Sequence, residues 1–343
     1  MAFGNGSTAA LYLNRVCRGV TTHMKKKIKF KSNAARNAVL HANRWLNNYD
    51  DVIWLIGDGR SGTTWVSDLI NHDKKYREMF EPFHPKLVDG MGFLLPHQYV
   101  RAHETSIQLE KAASDVFSGK LTHKRVDSVN RSLVYKGLLI KDIFANLFSY
   151  WASVHFPKLK IILLIRNPFS VALSKYITKN WFWVTDPMVL LNQADLYEDY
   201  LYQFEEIIRK TSSKNDYILN QVLIWSIINY VPLRQFKPGQ IHIVFYEQIY
   251  ADPSREISRL FRSDSPNNQL IIDEQIVRRP SRVAGEESNI LRGISPVSSW
   301  KNVLTVQQID AGFKILEEFG FEKVYGVSPM PNRQALYEIH RQA

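Results

Sequence analysis

The sequence predicts an α/β fold of three layers, a parallel sheet with helices on both faces. Three observations carry that expectation. Short apolar runs of strand length recur at Val52-Ile53-Trp54-Leu55-Ile56, Lys160-Ile161-Ile162-Leu163-Leu164-Ile165 and Ile241-His242-Ile243-Val244-Phe245. Each run is followed by a turn and then a helical pattern. The runs are apolar at successive positions rather than alternating, as strands covered on both faces must be.

Taken in order, residues 1–50 read as a basic N-terminal extension and 51–343 as one domain. The extension opens rich in Gly, Ser and Ala and continues into Lys25-Lys26-Lys27-Ile28-Lys29-Phe30-Lys31. A helix is expected from Ala34 to Leu46. The Lys25–Lys31 run suits contact with an anionic membrane surface, or is simply a solvated charge run. The first strand ends at Gly57, and a helix is expected over 63–71. Residues 84–130 have weak periodicity, and 176–200 carry Tyr176, Trp181, Trp183, Tyr197 and Tyr200. Both stretches are candidates for ligand-facing loops or lids, and the second reads equally well as helical core packing. A strand around Ile140, a helix over about 142–155, and a helix from Pro168 to about Lys179 complete the middle of the chain.

The 343 residues carry 44 Lys and Arg against 33 Asp and Glu, a net charge of +11. This favours acidic partners, whether nucleic acid, an anionic membrane surface, a sulfated or phosphorylated glycan or a highly charged small cofactor, and charge alone does not choose among them. Apart from the run at 25–31 the excess is spread along the chain, where a nucleic-acid protein would often concentrate it in one stripe, and no nucleic-acid motif is present. The single cysteine, Cys17, excludes an intramolecular disulfide. The most apolar stretch, 132–156, contains Lys136, Lys141 and Asp142, so it is no membrane span of the roughly 18 residues required. The N-terminus lacks the basic-then-apolar pattern of a secretory signal. The expectation is a cytoplasmic protein, membrane-associated at most through Lys25–Lys31. Nothing in the sequence reads out an oligomeric state.

The sharpest local signal is Gly57-Asp58-Gly59-Arg60-Ser61-Gly62-Thr63-Thr64-Trp65, between a strand and a helix. Glycines let the backbone turn several N–H groups into one concavity, and the helix adds its positive end. Such a loop binds a phosphate-like group. Against the pattern G-x-x-x-x-G-K-[ST], Gly57, Gly62 and Thr64 match, and Thr63 stands where the lysine belongs. The missing lysine counts against a nucleotide-dependent kinase or another nucleotide hydrolase, which remains the alternative enzyme. The loop's cation is Arg60.

Arg60-Ser61-Gly62-Thr63-Thr64-Trp65 after a buried strand resembles the 5′-phosphosulfate loop of sulfotransferases that use 3′-phosphoadenosine 5′-phosphosulfate (PAPS). Further segments follow in that family's order. Ile165-Arg166-Asn167-Pro168, continuing to Ser174, resembles its 3′-phosphate motif. Phe245-Tyr246-Glu247 with Asp252–Ile257 resembles its Y-E-D segment. Leu291-Arg292-Gly293 with Trp300-Lys301-Asn302 resembles its C-terminal R-K-G and W-K-N segment, with Ile294 after the glycine and the usual Lys absent. The resemblance covers about 51–325 and implies a P-loop NTPase-like fold. It implies that Arg60 offsets charge on the leaving phosphate and that the backbone from Arg60 to Thr64 holds the 5′-phosphate. Trp65 and Tyr246 would lie beside adenine. Arg166, Ser174, Arg292 and Gly293 would hold the 3′-phosphate, with Arg282 as a substitute for the missing Lys.

The acceptor's proton needs a base. The cytosolic branch of the family carries a histidine where this chain has Ile143, while Lys141 is retained. Phe80-Glu81-Pro82-Phe83-His84 instead resembles the F-E-P segment of carbohydrate and bacterial sulfotransferases. Glu81 is therefore the expected base, His84 and Asp142 are its fallbacks, and Lys141 is expected to stabilise the sulfuryl in transit. Pro82 biases Glu81 toward an extended backbone. No metal is expected, since no cluster has ligand spacing. The expected function is sulfuryl transfer to a small-molecule or glycan hydroxyl, with a carbohydrate or glycolipid favoured. The remaining alternative is a non-catalytic binder of PAPS or another polyanion.

Overall fold

The computed structural model describes residues 33–47, 49, 51–132, 134–178, 181, 183–261, 272–277, 279, 281–282 and 293–341. Lys25–Lys31, Cys17 and Arg292 lie outside them.

Five parallel strands form one sheet in the order β2-β3-β1-β4-β5: β1 (Asp51–Gly57), β2 (Tyr76–Phe80), β3 (Gly137–Asp142), β4 (Lys160–Ile165) and β5 (His242–Phe245). Alternation splits each strand between two cores. Ile53 and Leu55 of β1 join Leu139, Ile162, Leu164 and Val244 in one core. Trp54 and Ile56 join Leu138, Ile140, Leu163 and Phe245 in the other. Both faces of β1, β3, β4 and β5 are thus covered by apolar cores, the three-layer arrangement expected. Each such side chain contributes roughly 1.5–3 kcal/mol on burial.

The first core is closed by α2 (Thr63–Ile70), which packs Trp65, Val66, Leu69 and Ile70 on the sheet. On the opposite face, Leu40 of α1 (Asn33–Asn47) and Tyr49 are buried in the larger core, so the end of the N-terminal extension packs on the domain. That face also carries α3 (Ile107–Phe117), α4 (Ser149–His155), α5 (Pro168–Ile177) and, after α6 (Glu205–Ser213), α7 (Tyr217–Gln235). Helix α7 is apolar almost all round and accordingly buried almost all round. Helix α5 starts where Asn167 caps it, accepting from the N–H groups of Phe169 (3.1 Å) and Ser170 (3.2 Å), with Pro168 in its first turn. After β5 come α8 (Tyr246–Ala251), α9 (Pro253–Leu260), α10 (Val306–Glu318) and α11 (Arg333–Arg341).

The expected helix over 142–155 begins later. Asp142 ends β3, Ile143 and Phe144 turn inward as buried apolar residues, and helix starts only with the 3-10 turn Asn146–Phe148. Among the described residues, no helix is long and apolar enough to cross a membrane.

Strand β1 lies between β3 and β4, so its two neighbours are reached by crossovers in opposite directions. The crevice at the carboxyl ends of these three strands is where such sheets place ligands.

Candidate active site

The turn after β1 is built for that crevice. Ser61 N–H donates to the Asp58 carbonyl (3.1 Å) and Val66 N–H to the Gly62 carbonyl (3.0 Å). Arg60 (φ 70°) and Gly62 (φ 92°) both stand in the left-handed region. A β-carbon at Gly62 would lie 2.5 Å from the Tyr246 ring, so glycine is required there by space as well as by φ. Gly59, Arg60, Gly62, Thr63, Thr64 and Trp65 line a cavity of about 390 Å³. Ser61 does not line it; the residue is buried, and among the described residues its hydroxyl has no partner. Trp65 is held by an indole N–H bond to the Val277 carbonyl (3.1 Å) and packs against Tyr246 (5.4 Å between centroids).

The end of β4 enters the same cavity. Arg166 donates to the Arg60 carbonyl (2.8 Å) and the Pro296 carbonyl (2.6 Å), and its guanidinium covers the Tyr246 ring at 4.3 Å. These bonds use two of its five N–H groups, and among the described residues its buried Nε has no partner. Arg60 Nε in turn donates to the Ser174 hydroxyl (3.2 Å) on α5. The two arginines are close enough that burial and Arg166 together disfavour the Arg60 cation. Two like charges so placed make the cavity favour anionic groups. Arg60, Arg166, Ser174 and Tyr246 therefore converge, as expected. Gly293 does not join them: it is exposed and lines no part of the cavity, although Pro296, three residues on, does.

Across the cavity stands Glu81, 5% exposed. Its carboxylate is bonded by Lys141 Nζ on one oxygen and Arg125 on the other. Lys141 and Arg125 both cover the Phe80 ring, at 4.5 and 4.8 Å. Burial pushes the Glu81 carboxyl up, but Lys141 and Arg125 outweigh it and hold it below the ordinary range. The extended backbone expected from Pro82 is not found: Glu81 has φ 49°. Its N–H is spent on the Lys141 carbonyl (2.7 Å) and its carbonyl accepts from His84 N–H (3.2 Å). That tight turn, fixed by β3, overrides the local preference.

The two fallback bases separate. His84 lines the cavity, and burial and Arg125 push it down to about 4, so it is neutral. Its Nδ1 accepts from Lys86 N–H (3.2 Å), and its ring meets Trp183 edge-on at 4.7 Å. Asp142 is excluded by strand alternation. It registers with Ile56 and faces the larger core, fully buried, where burial raises its carboxyl well above the ordinary range. Arg282 does not act as a free cation either, being paired with Asp68 (2.7 Å) and Glu78. Of the aromatic stretch, Trp181 and Trp183 line the cavity, while Tyr197 and Tyr200 bond and pack elsewhere. Ile143 also lines it. Arg125 had no sequence signal at all. Among the described residues no group of three or more His, Cys, Asp or Glu could hold a metal ion.

Behind Arg166, buried Glu247 accepts from Asn167 N–H (2.8 Å) and from the Tyr325 hydroxyl (3.0 Å). Burial raises its carboxyl to about 7, the Asn167 bond and Arg166 offsetting only part. A raised folded value stabilises fully below the ordinary carboxylate range, and the contribution is lost as pH rises through about 7. Denaturant melts of wild type and Glu247→Gln from pH 5 to 8.5 should differ in slope. Wild type should lose up to about 3 kcal/mol more than the variant over that window. Parallel curves would show that Glu247 does not titrate there.

A family model described as "Sulfotransferase domain" matches residues 50–263. No curated protein matches the chain. Among solved structures, a sulfotransferase from Alicyclobacillus acidocaldarius is 13% identical, covering 78% of this chain and 92% of its own, with a TM-score of 0.37. A sulfotransferase domain from the curacin biosynthetic pathway is 16% identical, covering 85% and 96%, with a TM-score of 0.37. A sulfotransferase domain from the Synechococcus PCC 7002 olefin synthase is 15% identical, covering 77% and 93%, with a TM-score of 0.33.

Proposed function

The chain belongs to the sulfotransferase domain family and is a sulfotransferase; from that premise we propose that it moves a sulfuryl group from PAPS to the hydroxyl of a carbohydrate or glycolipid, with Glu81 as base. One observation carries this reading. Arg60 of the β1 loop and the Arg166–Ser174 pair after β4 meet in one cavity that also contains Glu81. A donor with phosphate groups at the 5′ and 3′ positions asks for two cationic grips around one nucleoside.

The loop N–H groups, Thr63 and Thr64 would hold the 5′-phosphate, and Arg60 would offset the charge that grows there. Arg166 and Ser174 would hold the 3′-phosphate, with Trp65 and Tyr246 beside the base. Glu81, ionised, takes the acceptor's proton as the acceptor oxygen bonds to sulfur and the bond from sulfur to the 5′-phosphate oxygen breaks. Lys141 stabilises charge on the sulfuryl oxygens. Arg60, Arg125, Lys141 and Arg166 around the cavity disfavour a protonated amine as acceptor. The indoles of Trp181 and Trp183 give a sugar face something flat to lie on.

Calorimetric titration with adenosine 3′,5′-bisphosphate and with AMP tests the donor. The bisphosphate should bind at least about tenfold more tightly, the effect of one further charged hydrogen bond or more. Equal affinity would overturn the two-grip reading.

A further inference from the structure

The loop residue just before Gly59-Arg60 and the helix residue just after Ser174 form a buried ion pair that the chemistry above does not use. Lys175 Nζ donates to both oxygens of Asp58 (2.8 and 2.7 Å) and to Gln221 Oε1 of α7 (2.9 Å). All three N–H bonds of the ammonium are thereby used. The Asp58 and Lys175 side chains are 0% and 1% exposed. Gln221 passes the connection on, donating to the Val184 carbonyl (2.8 Å). The Trp181 indole lies over the same ammonium at 5.0 Å. It also fills the space beside Gly59, where a β-carbon would come within 1.8 Å of the ring. One ammonium therefore ties together the β1 loop, α5, α7 and the indole that lines the cavity.

We propose that the Asp58–Lys175 pair is a positioning device that holds the β1 loop against α5 and so keeps Arg60 in register with Ser174, to whose hydroxyl its Nε donates (3.2 Å). This rests on the two-grip reading. A buried ion pair is a weak source of net stability, because desolvating both charges offsets their attraction. It fixes direction and distance instead, since three hydrogen bonds and a ring contact meet at the one nitrogen. Neither residue lines the cavity. A shift of about 1 Å between groups that must act together on one ligand can lower performance on the order of 100-fold.

The test replaces both charges together, Asp58→Leu with Lys175→Met, so that no charge is left buried alone. Thermal melting is followed alongside titration with adenosine 3′,5′-bisphosphate and AMP. The double variant should melt cooperatively near wild type, yet its preference for the bisphosphate over AMP should fall about tenfold or more. A merely structural pair would lower the melting temperature and leave that preference unchanged, and a wild-type preference in a folded variant overturns the proposal. Asp58→Asn, which keeps the side chain's shape, serves if the double variant does not fold. It should lower the preference about threefold, and an unchanged preference again overturns the proposal. If wild type itself shows no preference, the two-grip reading has failed and the proposal falls with it.

Discussion

Glu81→Gln should lower turnover by about 10²–10⁴-fold while leaving affinity for adenosine 3′,5′-bisphosphate within about twofold of wild type. The substitution keeps the shape of the side chain and removes the oxygen that, on the proposed reading, accepts the acceptor's proton. Arg60, Arg166 and Ser174, proposed to hold the donor, stand across the cavity and are untouched. Some stability will go as well. Lys141 and Arg125 lose an ionised partner, and Lys141 is 2% exposed, so a cost of about 1–3 kcal/mol is expected. That contribution belongs to the neutral and alkaline side. A carboxyl held below its ordinary range stabilises above the unfolded value and loses the effect as pH falls through the folded one. Melts at pH 7.5 fix the folded fraction before rates are compared. His84→Ala is the companion variant: a His84 base would lose turnover there and spare Glu81→Gln. Turnover of the wild-type order in folded Glu81→Gln would remove Glu81 as the base.

The second large effect is expected at Arg166. Arg166→Met should weaken the bisphosphate by about 100-fold and AMP far less. Charged hydrogen bonds contribute about 1.5–3 kcal/mol each, and a guanidinium presents its N–H groups to a phosphate in pairs. Part of the loss will be shared, because Arg166 also bonds the carbonyls of Arg60 and Pro296 and so steadies the loop. The discriminating quantity is therefore the ratio of the two affinities. An equal loss for both ligands would make Arg166 a prop for the loop and would leave the 3′-phosphate without its principal cation.

The sheet was legible because burial on both faces leaves a plain signal, apolar residues at every position of a short run. The loop after β1 and the Arg166–Ser174 step were legible because each is contiguous, and a local turn or one helix fixes its geometry. Arg125 was not, since it reaches Glu81 from a stretch without periodicity and only the folded chain joins them. The same is true of Asp58 and Lys175, whose pairing depends on how α5 lies across the loop. The backbone at Glu81 was misread because a preference set by Pro82 is small beside hydrogen bonds to β3. Asp142 could have been excluded from the sequence: if Lys141 faces the cavity, alternation sends its neighbour into the opposite layer. Ser61, matched by motif, and Gly293, matched by order, show that a motif position need not be a wall position.

The indole of Trp181 rests against Gly59 so closely that neither can be altered in isolation. Anyone redesigning the enzyme for a bulkier acceptor would naturally trim that tryptophan. Doing so withdraws the packing on which the backbone of the donor loop leans, and donor affinity should decline with the widened opening. Grafting the whole 176–187 stretch from a relative would need its own residue at position 59 to come along. On the proposed reading, variants selected for acceptor tolerance at Trp181 should carry changes in donor affinity as well.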